Sequence, residues 1–270
     1  MQPIFIESQH NQMIKHIQKL ERRAYREKAQ EFLLEGERLI QDALSADAPI
    51  SCILLSNTFH LSQAGQTFLQ NISIKGLTIY VIADNIFDKV ANTQTPQGIL
   101  AVAKMPQMAQ QDLLNGTNNF FLYLDCVSDP GNMGTILRTA DAAGVAGVFL
   151  SKGCVDVYND KTVRSTMGAL FHVPIVQVDD AEALFLQFKQ NGIQLLSGDL
   201  SAQHVYYDAD MSGGLCIAVG NEAEGISQLV RDYTALPVKI IMPGLAESLN
   251  VAVAAGILMF EAVKQRALKK

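Results

Sequence analysis

The chain has no tryptophan, only 4 cysteines in 270 residues, and no excess of positive charge. Each shortage excludes something. Cys52, Cys126, Cys154 and Cys216 lie far apart, without a CxxC pair or histidines at metal-ligand spacing. Neither a disulfide framework nor a zinc site is indicated, and no metal is expected. Cys126 and Cys216 sit inside apolar runs and read as buried thiols. A formal net charge of −6 argues against an indiscriminate nucleic-acid binder, although a local basic face can hide in an acidic total. No apolar run reaches the length of a membrane span, and the opening MQPIFIESQHNQMIKH lacks the apolar stretch of a secretion signal. A cytoplasmic protein without membrane contact is expected.

What is present can build a core: 49% of residues are hydrophobic and 18% charged, over a length that suits one large or two ordinary domains. The most informative stretch is Phe120 to Leu150, FFLYLDCVSDPGNMGTILRTADAAGVAGVFL. Phe120 to Leu124 and Gly147 to Leu150 have the unbroken apolar character of buried strands, and a helix is predicted between them. The turn Asp129-Pro130-Gly131-Asn132 enters that helix, with Asn132 able to cap an early N–H and Gly134 small enough to admit an anion. Arg138 leans back along the helix toward the same opening. Amide, helix end and guanidinium would face one pocket at the carboxyl end of a strand, where open α/β sheets bind ligands. Taken alone, the same residues equally suit an ordinary cap, a turn glycine and a solvated charge.

From Asn11 to Gln30, apolar residues at Met13, Ile14, Ile17, Leu20 and Ala24 predict one amphipathic helix. Its other positions carry Lys15, Lys19, Arg22, Arg23, Arg26 and Lys28, either a solvated face with its own acids or a stripe that tracks phosphates. A strand at Glu31 to Glu35, a helix from Gly36 to Leu44, a strand at Ile50 to Leu55 and a helix at Leu61 to Gln70 follow. A strand at Leu77 to Ile82, a short helix at Ala83 to Val90 and a strand at Gly98 to Ala103 complete a small α/β domain. Thr93 to Gly98 is a polar turn, either a plain connection or a substrate contact. The polar run Lys104 to Asn119 reads as a linker, giving domains 1–104 and 120–270 joined by 105–119. Beyond Leu150, Asp156 to Val173 predicts a loop, a short helix and a strand. Lys152, Lys161 and Arg164 there line an entrance for a nucleic-acid backbone or are merely surface charge. His172 reads as structural. Ala181 to Gln190 predicts a helix and Gln194 to Ser197 a strand.

Two later apolar runs end in small and polar residues. Leu215 to Val219 predicts a strand that runs into Gly220-Asn221-Glu222, and Ile240 to Gly244 is a second candidate, followed by Glu247-Ser248-Leu249-Asn250 opening a C-terminal helix. Together DPGNMGTILRTADAAG, AVGNEAEGIS and IMPGLAESLNVAVAAG resemble, in order, the three motifs of the SpoU, or TrmH-like, family of RNA ribose 2′-O-methyltransferases in the SPOUT superfamily. NQMIKHIQKLERRAYREKAQEFLLEGERLI and TPQGILAVA look like the substrate-binding domain that many members carry, so the resemblance covers nearly the whole chain.

The resemblance implies an α/β fold, a mostly parallel sheet with helices on both faces and a C-terminal trefoil knot, preceded by a small ribosomal-protein-like RNA-binding domain. Unknotted chains are the general rule, so this family is an exception. It implies S-adenosylmethionine as cofactor, held by backbone groups, which agrees with the lack of a G-x-G-x-x-G fingerprint. A homodimer with both subunits shaping the site is implied too. By motif position the active-site set is Asn132, Arg138, Glu222, Ser248 and Asn250. The cofactor set is Ala218, Gly220, Ile241, Pro243, Leu249 and Ala252, the small residues among them letting the chain approach a ligand. RNA contacts fall to Lys15, Lys19, Arg22, Arg23, Arg26, Lys161 and Arg164. The family's chemistry gives Arg138 the role of base. Arginine is essentially always protonated, so a clamp on the substrate phosphate that stabilises developing alkoxide charge is the easier role, with Glu222 holding Arg138 and the phosphate or a water taking the proton. The expected substrate is ribosomal RNA, from the large subunit in preference, with tRNA the alternative. A non-catalytic RNA-binding assembly factor would lack motif residues that are present here. A nucleotide-dependent oxidoreductase would want a glycine fingerprint that is not.

Overall fold

The computed structural model describes residues 3–72 and 76–269. It divides into two compact units, the first comprising Met1–Gln107 with Tyr158–Phe171, the second Met108–Val157 with His172–Lys270. Among the described residues no helix is long and apolar enough to cross a membrane.

The first unit starts with β1 (Ile4–Ile6), α1 (Gln12–Leu20), α2 (Arg23–Ala29), β2 (Glu31–Glu35), α3 (Glu37–Ser45) and β3 (Ile50–Ser56). It continues with α4 (Asn57–Leu61), α5 (Gln63–Ile72), β4 (Thr78–Ile82), α6 (Asp84–Phe87) and β5 (Ile99–Lys104). The sheet order is β1-β4-β3-β5-β2, with β1, β4 and β3 parallel and β5 antiparallel to both its neighbours. The single helix expected over Asn11 to Gln30 is two. Asn11 caps α1 by accepting the Met13 N–H at 2.8 Å, and Ile14, Ile17 and Leu20 are buried. The chain then turns extended at Arg22, and Arg26 of α2 reaches back to donate to the carbonyls of Leu20 (2.7 Å) and Glu21 (2.8 Å). A buried guanidinium thus satisfies the end of α1, and Ala24 is exposed. The helix expected from Leu61 to Gln70 is also broken, at Ser62, because Gly65 packs so closely on the Phe59 carbonyl that a Cβ would lie 1.9 Å from its oxygen. The helix expected over Ala83 to Val90 shrinks to α6.

The second unit begins inside the expected linker. There α7 (Gln110–Leu114) buries Leu113 and Leu114 in the unit's core. Next come β6 (Phe120–Leu124), α8 (Pro130–Ala142) and β7 (Gly147–Leu150). The chain then supplies α9 (Asp160–Thr166) and a 3-10 turn, Ala169–Phe171, to the first unit, where Tyr158 packs on Phe32 with ring centroids 4.8 Å apart. No strand forms within Asp156 to Val173; the next is β8 (Ile175–Gln177). The rest is α10 (Ala181–Gln190), β9 (Gln194–Gly198), β10 (His204–Val205), β11 (Leu215–Val219), α11 (Gln228–Tyr233), β12 (Leu236–Lys239) and α12 (Val251–Leu268).

All pairings in this sheet are parallel, in the order β10-β12-β9-β11-β6-β7-β8. One face carries an aromatic core in which the rings of Phe149 and Phe188 lie 5.5 Å apart and those of Tyr123 and Phe185 4.9 Å apart. Burying each such side chain contributes roughly 1.5–3 kcal/mol. The strand expected at Ile240 to Gly244 lies earlier, at β12. Proline cannot donate to a ladder and argues against a strand, yet Pro237 pairs with Ser197 here, while Ile241 is 51% exposed.

Candidate active site

Because the strands run parallel, the loops that leave β6, β11 and β12 emerge at one edge of the sheet. Asp125, just past β6, is buried. Its N–H donates to the Val219 carbonyl (2.9 Å), extending the β6–β11 ladder, and its carboxylate accepts the Ser227 N–H at 2.6 Å. After β11 the chain folds back on itself, with Asn221 and Gly225 exchanging N–H···O bonds of 2.9 Å in both directions. A Cβ on Gly220 would lie 2.1 Å from the Gly225 carbonyl carbon, so glycine is required for loop closure rather than for a ligand. Asn221 ties the loop to the turn after β6: Nδ2 donates to the Cys126 carbonyl (2.9 Å) and Oδ1 accepts the N–H of Ala223 (2.9 Å). Cys126 is half-buried at φ 58, not a core thiol, whereas Cys216 is fully buried.

Asp129, not Asn132, caps α8. Its Oδ1 accepts the Asn132 N–H at 2.8 Å and Pro130 takes the first helical position. The Asn132 side chain is thereby free for other work. Asn250 caps α12, its Oδ1 accepting from the N–H groups of Ala252 (2.9 Å) and Val253 (3.3 Å). That use of its oxygen leaves Nδ2 to donate to Asn132 Oδ1 at 2.8 Å, which in turn leaves Asn132 Nδ2 to donate to Glu222 Oε1 at 2.9 Å. The helix cap made by Asn250 at one end and the Glu222 carboxylate at the other set the direction of this relay without ambiguity in the amides. Glu222 also accepts from the Ser128 hydroxyl (3.2 Å) and the Asp129 N–H (3.4 Å). Burial acts to raise its pKa, but these hydrogen bonds, the one from Asn132 first, outweigh it and hold the carboxyl below its ordinary value.

Beside the relay lies a cavity of about 510 Å³. Gly220, Glu222, Ser248, Leu249 and Asn250 line it, together with Asp199, Glu224, Arg231, Lys239, Met242, Glu247 and Leu258. The other residues assigned to the cofactor do not line it. Ala218 is sealed inside β11, Ala252 is buried in the first turn of α12, and Ile241 and Pro243 are exposed. Arg138 is exposed on α8 and makes no hydrogen bond or ion pair with another described residue. The expectation that Glu222 holds Arg138 is therefore corrected: Glu222 holds Asn132 and the turn before α8. Asp125, Ser128 and Asn221 complete the constellation. Their signal was only their place beside motif residues at strand ends.

The basic residues of the first unit divide. Lys15, Lys19, Arg22 and Lys161 are exposed. Arg23 pairs with Glu27 (2.8 Å) and Arg164 with Asp160 (2.7 Å), each one helical turn away. Arg26, 6% exposed, is a structural cap and leaves the stripe. In the second unit Lys152 pairs with Asp179 (3.4 Å), and His172 is a surface residue, its Nδ1 3.0 Å from Asp141.

The SpoU rRNA Methylase family matches residues 119–260, and the MRM3-like substrate binding domain matches residues 11–101. The 23S rRNA (guanosine(2553)-2′-O)-methyltransferase RlmP of Bacillus subtilis is 35% identical over 255 residues, 94% of this chain and 97% of that protein. The structure of an AdoMet-bound rRNA methyltransferase from Sinorhizobium meliloti aligns with a TM-score of 0.85 at 27% identity, over 96% of this chain and 97% of that one. The SpoU methyltransferase AviRb from Streptomyces viridochromogenes, in complex with AdoMet, aligns with a TM-score of 0.82 at 30% identity, over 96% of this chain and 100% of that one. With its three motif loops gathered at one sheet edge and the family match spanning the unit that carries them, this chain belongs to the SpoU rRNA methylase family.

Proposed function

We propose that this protein transfers the methyl group of S-adenosylmethionine to the 2′-hydroxyl of a ribose in ribosomal RNA of the large subunit, in the cytoplasm. The observation that carries the reading is the one-way relay from Asn250 through Asn132 to Glu222 at the mouth of the cavity, with an arginine that is unpaired among the described residues on the same helix as Asn132. The cavity's residues fit the cofactor. Its volume of about 510 Å³ is in the range of small-ligand sites, roughly 300–1,000 Å³. Met242, Leu249 and Leu258 offer apolar surface to a purine, and the carboxylates of Asp199, Glu222, Glu224 and Glu247 outnumber Lys239 and Arg231, which suits a ligand with a sulfonium and an amino group. Bound there, the cofactor supplies an electrophilic methyl.

The residues divide the remaining work. Glu222 has its oxygens occupied by donors, so it fixes the turn before α8 rather than acting as a base. Asn132 and Asn250, each locked by that chain, hold the ribose in place, and Ser248 faces the cavity beside them. Arg138 grips the phosphate next to the target ribose and stabilises charge developing on its oxygen, while the phosphate or a water takes the proton. Residues 1–104 bind the RNA and 120–270 carry the transfer. A second copy completes the site, for which the exposed Val253 and Phe260 of α12 offer apolar surface. The reading includes the family's C-terminal knot. Its support is that β11 re-enters between β9 and β6, β12 is laid outside β9, and the chain comes back as α12 onto α8.

The test is transfer from labelled S-adenosylmethionine to total RNA from cells lacking this enzyme, followed by mapping of alkali-resistant ribose. One labelled position in ribosomal RNA is expected. Label in tRNA would move the substrate there, and no transfer by a protein that binds the cofactor would overturn the reading.

A further inference from the structure

The polar turn between α6 and β5 has no part in the chemistry above, yet both its ends are fastened. Glu35, the last residue of β2, accepts the N–H of Asn92 (2.9 Å), the N–H of Thr93 (3.3 Å) and the Thr93 hydroxyl. At the far end Gln97 Oε1 accepts the Glu37 N–H at 2.9 Å, capping α3 where Gly36 has no side chain to do so. Gly98 at φ 83 closes the turn, and a Cβ there would meet Ser56 Oγ and Phe59 Cβ at 2.7 Å, so the closure has no slack. Between these clamps Gln94 and Thr95 are exposed, with exposed Asn92 beside them. Residues 92–97 include no cation, and the side chain that anchors them is a carboxylate. The nearest cation in sequence to the second clamp is Arg38, exposed on the first turn of α3 and without a hydrogen bond or ion pair to another described residue.

A surface that tracks a nucleic-acid backbone needs cations, and a carboxylate at its anchor would repel phosphate. Neutral amides and hydroxyls held in a fixed conformation are instead the groups that hydrogen-bond base edges. In RNA those edges are open in unpaired nucleotides, because A-form grooves hide or blur them. We propose that the Asn92–Gln97 turn reads unpaired bases of the RNA substrate, with Arg38 taking a neighbouring phosphate, so that the first unit selects its substrate by sequence as well as by charge. This inference rests on the reading of the chain as an enzyme acting on RNA. It gains weight from the basic stripe, in which Arg26 is buried and Arg23 is paired, leaving less free charge than the composition implies.

The experiment compares the full-length protein with Q94A/T95A and K19A/R22A, measuring binding across a salt series to an rRNA fragment that the wild type methylates and to a scrambled single strand of the same length. The turn variant should bind the fragment roughly ten-fold more weakly or worse, bind the scrambled strand like the wild type, and keep its salt slope. The stripe variant should weaken on both strands and lower the slope by about two, one per cation removed. Melting temperature and S-adenosylmethionine affinity should stay unchanged in both. A turn variant that binds the fragment like the wild type, or that loses salt slope together with affinity, overturns the inference alone. A wild type that neither binds RNA nor transfers methyl overturns the RNA reading and this inference with it.

Discussion

Replacing Asn250 with aspartate separates the two tasks of that side chain. The oxygen that caps α12 is retained, and aspartate caps a helix as well as asparagine does. Its charge even suits the positive end of the helix, by roughly 0.3–1 kcal/mol. The cap's own contribution to stability should therefore be kept to within about 0.5 kcal/mol or rise, whereas Asn250→Ala, which removes the cap, should lose about 1 kcal/mol of it. What aspartate loses is the donor. Nδ2 makes the 2.8 Å bond to Asn132 Oδ1, and in the variant two acceptors face each other at that point. Asn132 can turn its amide over, but its oxygen then confronts Glu222, which now accepts Nδ2 at 2.9 Å. Either way one pair of acceptors is left opposed, at about 1–3 kcal/mol, equivalent to roughly 5- to 150-fold in kcat/KM if the relay is held through the transition state. Methyl-transfer kinetics and thermal melts on the wild type and both variants supply the test. An Asn250→Asp enzyme within about two-fold of the wild type would refute the direction assigned to the relay.

Glu222 is held below its ordinary value of 4.5, so the stabilisation it provides is complete above that pH and is lost as pH falls through the lowered pKa. The melting-temperature difference between wild type and Glu222→Gln should be flat above about pH 5 and shrink below it; a difference that grows in acid would contradict the assignment. Ser197 is fully buried in β9 and its hydroxyl has no hydrogen-bond partner among the described residues, so Ser197→Ala should leave stability unchanged or raise it by up to about 1 kcal/mol, and a loss of that size in a denaturant melt would count against it. Gly220→Ala places a Cβ 2.1 Å from the Gly225 carbonyl carbon, forces the loop open, and should weaken S-adenosylmethionine binding by calorimetry at least about ten-fold; unchanged affinity would show that the loop does not shape the cavity.

The strands β6, β7 and β11 and the helix α10 lie where the sequence predicts them. A parallel strand covered on both faces is a continuous apolar run bounded by turn residues, and that signal is local. The elements that differ are those decided by something distant. A single amphipathic helix over Asn11 to Gln30 has the right spacing, but Arg26 turning back on the Leu20 carbonyl breaks it. The apolar run at Ile240 outcompetes Leu236 to Lys239 as a strand because Pro237 lacks an N–H, and only pairing with β9 overrides that. Asn132 and Asp129 are both good caps three residues apart, and periodicity cannot choose between them; Pro130 at the first helical position favours Asp129. At the site, the identities of Asn132, Glu222, Ser248 and Asn250 are legible through motif resemblance. Which of them touch is not, since the relay joins loops that are far apart in the chain. The same limit separates Gly220 and Leu249, which line the cavity, from Ala218, Ile241, Pro243 and Ala252, which do not.

The occupation of Glu222 has a consequence for Arg138. A carboxylate that accepts from the Ser128 hydroxyl, the Asp129 N–H and the Asn132 amide has little capacity left for a guanidinium, and Asp129 commits Oδ1 to capping α8. The acids that flank the start of α8 are thus engaged by the scaffold, and Arg138 stays unpaired among the described residues of a chain whose net charge is −6. An exposed guanidinium with no partner among the described residues is available to an anion from outside. In the proposed reaction a substrate phosphate meets it, and the planar fork would then fix the phosphate's orientation as well as its position. Had Glu222 paired with Arg138, that bond would have to break before RNA could bind, at the expense of part of the binding energy. Under the proposed function, with the acid committed to the turn, the contact that recruits the RNA would also bring Arg138 to the ribose oxygen where charge develops, so that binding and catalysis would draw on one interaction.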